Sequence, residues 1–180
     1  RTAFGVTLPL SPAPADMGAL AKTIVAEIKT LVPECQVELF THGELAGRWD
    51  GARIGQMLSN LLANAVQHGD KTEPVSVRVA GDGSHVTVEV RNKGTPISQQ
   101  AQKTLFLPLR QTPTAEGERR AGSSGLGLGL YITREIAAAH GGSIVVASNA
   151  DETTFTARLP RIPPLSKDRR SGASRAGKEA

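Results

Sequence analysis

Three valines at alternate positions, Val75, Val77 and Val79, are answered after Gly81-Asp82-Gly83 by three more, Val86, Val88 and Val90. Successive side chains of an extended strand point to opposite faces, so a period of two places each set on one face. Two such runs around a Gly/Asp turn predict a β-hairpin. A sheet with one apolar face must cover it, and the chain supplies helices to do so. Asp16 can cap a helix with Met17, Leu20, Ile24, Ile28 and Leu31 as its apolar stripe. Asp50 can cap a second, with Ile54, Met57, Leu58, Leu61 and Ala65 on one face. Ile97-Ser98 opens a short helical stretch, and a further helix over about 128–140 is closed by Gly141-Gly142. Alternation also predicts strands over 36–40, 143–148 and 153–159. Helices and a mixed sheet in this order predict an α+β fold, a two-layer sandwich with helices on one face.

The 180 residues fit one domain. Aromatics are only 3% of the chain, so its core must come mainly from Leu, Ile, Val and Ala. The single cysteine, Cys35, rules out an internal disulfide and reads as a thiol near a helix end. No apolar run approaches the roughly 20 residues that span a bilayer, and no signal peptide is legible. The net charge of +4 invites a nucleic-acid partner, but its distribution argues against one. Residues 161–180 hold Arg161, Lys167, Arg169, Arg170, Arg175 and Lys178 against Asp168 and Glu179, which accounts for the whole excess. Residues 1–160 are neutral, and 161–180 read as a basic, disordered tail. At the other end, Pro9, Pro12 and Pro14 mark 1–15 as an extended linker. Residues 107–125 carry Pro108, Pro113, Gly117 and Gly122 without periodicity, and a loop this long is more often functional than filler.

Three short patterns carry chemistry. Asn60 and Asn64 lie four apart on one face of an otherwise apolar helix, where asparagine is a poor helix former. An amide oxygen is a hard neutral ligand that suits Mg²⁺, although two exposed polar residues would read the same way. Gly125-Leu126-Gly127-Leu128-Gly129-Leu130 precedes a helix, where glycines let the backbone approach a ligand and free N–H groups attract phosphate. No Lys-Ser/Thr pair follows, so this is not a Walker A loop. Asn92-Lys93-Gly94-Thr95-Pro96-Ile97 ends a strand with a side-chain carbonyl that can accept from an exocyclic amine. By itself it is an ordinary Asn-x-Gly turn.

In this order the three patterns resemble the N, G1 and G2 boxes of the ATP-binding domain shared by histidine kinases, type II topoisomerases, Hsp90 chaperones and mismatch-repair ATPases (the Bergerat fold). Leu105-Phe106-Leu107-Pro108-Leu109 looks like the F box that opens the ATP lid of histidine kinases. Ala139-His140-Gly141-Gly142 and Thr153-Thr154-Phe155 are similar to patterns near the end of histidine kinase domains. The resemblance covers about residues 16–160. It implies ATP and Mg²⁺ as cofactors, with Asn60 and Asn64 carrying the transfer chemistry and Asn64 as metal ligand. It further implies that His68, Asn92, Gly94, Ile97 and Thr153 form the adenine pocket. Gly125, Leu126, Gly127, Leu128 and Gly129 would hold the phosphates. As partners it implies a helical dimerisation domain that bears the acceptor histidine and precedes this chain, and a response regulator. It implies a cytoplasmic domain, whether its homodimeric parent is soluble or sits in the inner membrane.

This sequence departs from the family pattern in places. Asn92 stands where an aspartate is usual, and a neutral hydrogen bond is weaker than a charge-assisted one. Gln67 replaces a phosphate-contacting Lys or Arg. Arg110 falls one place early, Leu109 replaces a phenylalanine, and Arg119 and Arg120 are candidate replacements for the missing charge. Glu152 replaces a common glycine and implies a different turn. Hydrolysing relatives carry a glutamate base four residues before the N-box asparagine; here that position is Asn60, which cannot accept a proton. Transfer to another nucleophile is therefore expected. His42, His68, His85 and His140 lack the flanking acid and Arg-x-Pro of a phospho-acceptor; His140 reads as a helix end, His42 and His85 as surface. The alternatives are an anti-sigma-factor-type serine kinase or binding module, and a degenerate domain that no longer binds ATP.

Overall fold

The computed structural model describes residues 8–107 and 128–162. The valine runs form β4 (Val75–Gly81) and β5 (His85–Asn92), paired antiparallel with Val77 opposite Val90 and Val79 opposite Val88. All six valines are buried. Asp82 organises the turn, its Oδ1 accepting from the backbone N–H groups of Ser84 at 2.7 Å and His85 at 2.6 Å. These bonds, led by Ser84, hold its pKa down to about 2.

β2 (Val37–Gly43) joins β4 in parallel, and β7 (Thr153–Pro160) joins β5 antiparallel. β6 (Ser143–Ser148) closes the sheet in the order β2-β4-β5-β7-β6. Phe155, Ala157 and Leu159 continue the valine face across β7. Against it pack α1 (Met17–Leu31), α2 (Gly51–His68) and α4 (Gly129–Ala139), while the short α3 (Gln99–Thr104) lies by β6. This is the expected α+β sandwich with a mixed sheet.

Both predicted caps form. The Asp16 side chain accepts from the Ala19 N–H at 2.8 Å, and that of Asp50 from the Arg53 N–H at 3.1 Å. The stripe of α1 is rotated from the expected one. Met17, Ala21, Val25 and Ile28 are buried, whereas Leu20 and Ile24 are half-buried and Leu31 is exposed. Leu20 and Ile24 lie beside Gly51 and Gly55 of α2, and small Ala21 takes a fully buried place, which hydrophobicity alone does not rank.

Residues 13–15, read as the end of a linker, and the cap residue Asp16 form strand β1 (Ala13–Asp16), paired antiparallel with β3 (Ala46–Trp49). Neither strand has the alternation that would reveal it. Prolines at 12 and 14 are compatible with such an edge position, where the missing N–H costs no ladder bond. The buried Trp49 ring donates from Nε1 to the Pro160 carbonyl at 2.9 Å, tying this ribbon to the end of β7.

His140 ends α4, as expected, but it is fully buried. The Asp50 N–H reaches its Nε2 at 3.1 Å, and its Nδ1 lies 2.8 Å from the Ile136 carbonyl. An N–H only donates and a carbonyl only accepts, so the ring is neutral with its proton on Nδ1. It thereby joins the end of α4 to the start of α2. Burial lowers the His140 pKa below its ordinary 6.5, against the opposing pull of the Ile136 carbonyl and Asp50. Burial works against the Asp50 carboxylate too, but N–H groups of Ser11 and Arg53 outweigh it and leave its pKa below 3.8.

Below pH 6.5 the unfolded chain takes up a proton at His140 that the folded chain refuses. The unfolded state then binds more protons, and stability rises with pH until it levels off above about 6.5. The Asp50 contribution is lost only at lower pH, as its carboxylate protonates. Stability of the wild type against urea should therefore fall from pH 7.5 to pH 5.5, with a smaller slope in His140→Gln. Equal slopes would exclude His140 as the source.

Candidate functional site

Amphipathicity orients α2. Ile54, Met57, Leu58, Leu61, Leu62 and Ala65 are buried, which leaves Asn60 and Asn64 half-buried and Gln67 and His68 exposed along the other side. The Asn60 side-chain N–H donates to the Gly129 carbonyl at 3.1 Å, and the Thr133 hydroxyl donates to the same oxygen at 2.8 Å. The first turn of α4 is thus pinned to the middle of α2. The first N–H groups of a helix have no partners within it and attract anions, which is the property a phosphate site at this end would use. Leu128 and Gly129 are at this helix start; Gly125, Leu126 and Gly127 lie outside the described residues, as do Arg110, Arg119 and Arg120. Of the expected lid only its approach is described. Phe106 packs edge-on against Phe155, with ring centroids 6.2 Å apart.

The other wall is built on the ends of β5, β6 and β7. Asn92 and Thr153 are cross-strand partners, each 6% exposed. The Asn92 side-chain N–H donates to the Lys93 carbonyl at 3.1 Å, and among the described residues no donor is bonded to its Oδ1. Beyond Asn92 the chain runs back along the end of α2. Gly94 bridges to Gly69, and the Asp70 N–H donates to the Lys93 carbonyl at 2.7 Å. Gly94 has φ +151°, and a Cβ there would lie 2.7 Å from the His68 carbonyl oxygen. Only glycine allows this approach.

Ile97 is held at both backbone groups. Its N–H donates to Ser148 Oγ at 2.9 Å, and its carbonyl accepts from the Gln102 amide at 2.7 Å. Ser148 Oγ is in turn 2.7 Å from Thr153 Oγ1. A cleft of about 800 Å³ adjoins this wall, bounded by His68, Asp70, Lys93, Gly94 and Asp151. The Thr72 N–H and hydroxyl hold the Asp70 carboxyl below its ordinary pKa, with Lys93 assisting. Lys93 itself pairs with Glu73 at 3.2 Å. Glu152 belongs to a turn built on Asn149, whose Oδ1 accepts from the Asp151 and Glu152 N–H groups, and it pairs with Arg91 at 3.5 Å.

A family model described as histidine kinase-, DNA gyrase B-, and HSP90-like ATPase matches residues 49–163. The chain belongs to this family. Among its relatives, a bacteriophytochrome of Pseudomonas aeruginosa is 34% identical over 160 residues, 89% of this chain and 22% of that protein. A probable sensor histidine kinase TcrY of Mycobacterium tuberculosis is 35% identical over 153 residues, 84% of this chain and 32% of that one. The chain thus spans under a third of either relative. In fold it is similar to the catalytic domain of histidine kinase ThkA, with TM-score 0.70 at 22% identity over 86% of this chain and 99% of that one. The mycobacterial sensor histidine kinase MprB gives TM-score 0.69 at 22% identity.

Against this histidine kinase-like ATPase family, the structure brings Asn92, Gly94, Ile97 and Thr153 onto one wall and Asn60 against Gly129 on the other. Ser148, Gln102 and Thr133 belong to the same set and were not singled out in the sequence. Ser148 faces Thr153 in the β6–β7 register, and Thr133 is four residues after Gly129, so pairing and helical spacing could have indicated both. Gln102 carries no such signal. Gly94→Ala should destabilise the fold by about 1–3 kcal/mol through its backbone conformation and the His68 contact. Gly83→Ala, where a Cβ meets nothing within 4 Å, should stay within about 0.5 kcal/mol in the same thermal melts.

Proposed function

We propose that residues 16–160, together with the β1 residues 13–15 that pair with β3, are the ATP-binding catalytic domain of a sensor histidine kinase, followed by a basic tail. The domain transfers the γ-phosphoryl group of ATP to a histidine on a helical dimerisation domain. From there the phosphoryl group passes to an aspartate of a response regulator. In this reading the domain works in the cytoplasm; among the described residues no helix is long and apolar enough to cross a membrane.

The observation that carries this reading is the pairing of Asn60 with Gly129. Where a hydrolysing relative needs a glutamate to deprotonate water, this chain has an amide whose N–H is engaged by the α4 carbonyl. Positioning and charge neutralisation then carry the chemistry, as in phosphoryl transfer generally. Asn92 Oδ1 accepts from the adenine amine, Gly94 gives the ring room, and Ile97 and Thr153 complete the pocket beside His68. Leu128 and Gly129, with Gly125, Leu126 and Gly127 before them, hold the phosphates at the helix start. The half-buried Asn64 offers a neutral oxygen of the kind Mg²⁺ takes alongside phosphate oxygens and water, so the residue fits that ion. Bound there, Mg²⁺ would neutralise phosphate charge.

The acceptor is sought outside these residues because the four histidines here do not suit the role. His140 is buried and doubly engaged, and His42, His68 and His85 have no phospho-acceptor pattern around them.

Calorimetry should show ATP binding that is tighter with Mg²⁺, and Asn64→Ala should remove the Mg²⁺-dependent part. Asn92→Asp should keep or tighten binding, whereas Asn92→Leu should cost about 1–3 kcal/mol by stranding the adenine amine. No binding at millimolar ATP would favour a degenerate domain. Incubated with γ-labelled ATP, this chain alone should take up no acid-labile label, and the parent's helical domain supplied in trans should acquire it. Label retained on the chain itself would overturn the transfer reading.

A further inference from the structure

The two edges of the sheet are treated differently. At β6 the Gln102 amide donates to the Ser148 carbonyl at 3.3 Å, and α3 lies alongside. At the other edge, among the described residues, β2 has β4 as its strand neighbour and nothing beyond. Backbone groups of successive strand residues point alternately to the two sides. The Val75 N–H donates to the Gln36 carbonyl at 2.8 Å, so Gln36, Glu38, Phe40 and His42 direct their backbone groups to β4. Leu39 and Thr41 direct theirs outward. Among the described residues no hydrogen bond from a turn, loop or side chain reaches those outward groups. Proteins commonly blunt such an edge with proline, lysine or a bulge. Val37-Glu38-Leu39-Phe40-Thr41-His42-Gly43 contains neither proline nor lysine, and it pairs with β4 residue for residue, without a bulge.

The side chains of this edge are complementary to themselves. Val37 shares the helix-covered face with its partner Val75, so Glu38, Phe40 and His42 alternate onto the open face. All three are exposed, Phe40 by 50%. An antiparallel copy of β2, related by a two-fold axis at Phe40, places Leu39 opposite Thr41 of the second copy. Both residues have outward groups, so they exchange both backbone bonds. Phe40 then meets Phe40 of the second copy in a pair without backbone bonds, where Cα atoms come within about 4.5 Å and side chains lie closest. Glu38 falls opposite His42 of the second copy, whose ring N–H can donate to the carboxylate. A register shifted by two residues sets Phe40 against Glu38 or His42 and removes the match.

We propose that the β2 edge is a self-association surface, through which two copies of this chain pair antiparallel about Phe40 and join their sheets into one. The occupant is a second copy because one short segment supplies the aromatic, the acid and the acid's partner in the order that a two-fold axis requires. No residue assigned to the candidate nucleotide site belongs to β2, so the pairing does not depend on what that site binds.

The test is sedimentation equilibrium of the full chain at rising concentration, with amide hydrogen exchange followed in parallel. The wild type should move from monomer toward dimer below about 1 mM. Exchange at Leu39 and Thr41 should slow as it does so, while the amides already bonded to β4 should not respond. Thr41→Pro removes an outward N–H that β4 does not use, and should weaken the pair about tenfold or more. Glu38→His and His42→Glu should each weaken it several-fold by removing the match, and the two together should recover the wild-type constant. All three positions are exposed, and thermal melts establish that each variant folds. If Thr41→Pro fails to fold, the charge variants decide. A wild type still monomeric at about 1 mM would overturn the assignment. So would a dimer indifferent to a folded Thr41→Pro, unresponsive exchange at Leu39 and Thr41, or no recovery in the double variant.

Discussion

The burial of α2 is the constraint on which the rest depends. Six of its side chains are sealed between the valine face of the sheet and the flanking helices. A helix so fixed cannot rotate, because any turn about its axis would bring amides into the core and apolar groups into water. Burying an amide without a partner costs more than most single contacts supply. The two asparagines are thereby committed to the one side of α2 left open. Their position is a consequence of hydrophobic packing, and the site inherits its rigidity from the core.

Three polar joints then convert a packed sandwich into a shaped site. His140 fastens the end of α4 to Asp50, the cap of α2, and Asn60 fastens the start of α4 to the middle of α2. Hydrogen bonds inside a low-dielectric region are directional as well as favourable, so two of them at separated points fix the relative slide of the two helices. The third joint, Ser148 with Gln102 and Ile97, does the same for the opposite wall, where a loop would otherwise be free to shift. Each joint uses a residue with no capacity for acid–base chemistry in its bonded state. That suits the proposed transfer, which relies on positioning rather than on a proton-accepting base.

The legible and illegible parts of this protein divide along the range of the interactions involved. The hairpin, the two aspartate caps, β6 and the helix ending at His140 could be read from spacing, because each depends on residues close together in the chain. The β1–β3 ribbon could not. Its strands are short, lack alternation and are separated by the whole of α1 and β2, and what holds them is Trp49 on Pro160 and Arg48 on Arg161. The α1 stripe was misplaced for a related reason. Spacing identifies a helix, but which of two overlapping faces is buried depends on what packs over it, and small Ala21 holds a buried place while larger Leu31 is exposed.

The candidate site shows the same division. Composition, period and motif order by themselves determined that a valine-faced sheet would be covered by helices, that two amides would share a helix face, and that glycines would precede another helix. Those are properties of local geometry, fixed by 3.6 residues per turn and by strand alternation. Only the tertiary structure decided which partner each polar group takes: Asn92 with the Lys93 carbonyl, Asn60 with Gly129, Ser148 with Thr153, and His140 with Asp50. A hydrogen-bonding side chain has several partners open to it along a sequence, and the choice among them follows from which backbone groups the packing of the core brings within about 3 Å.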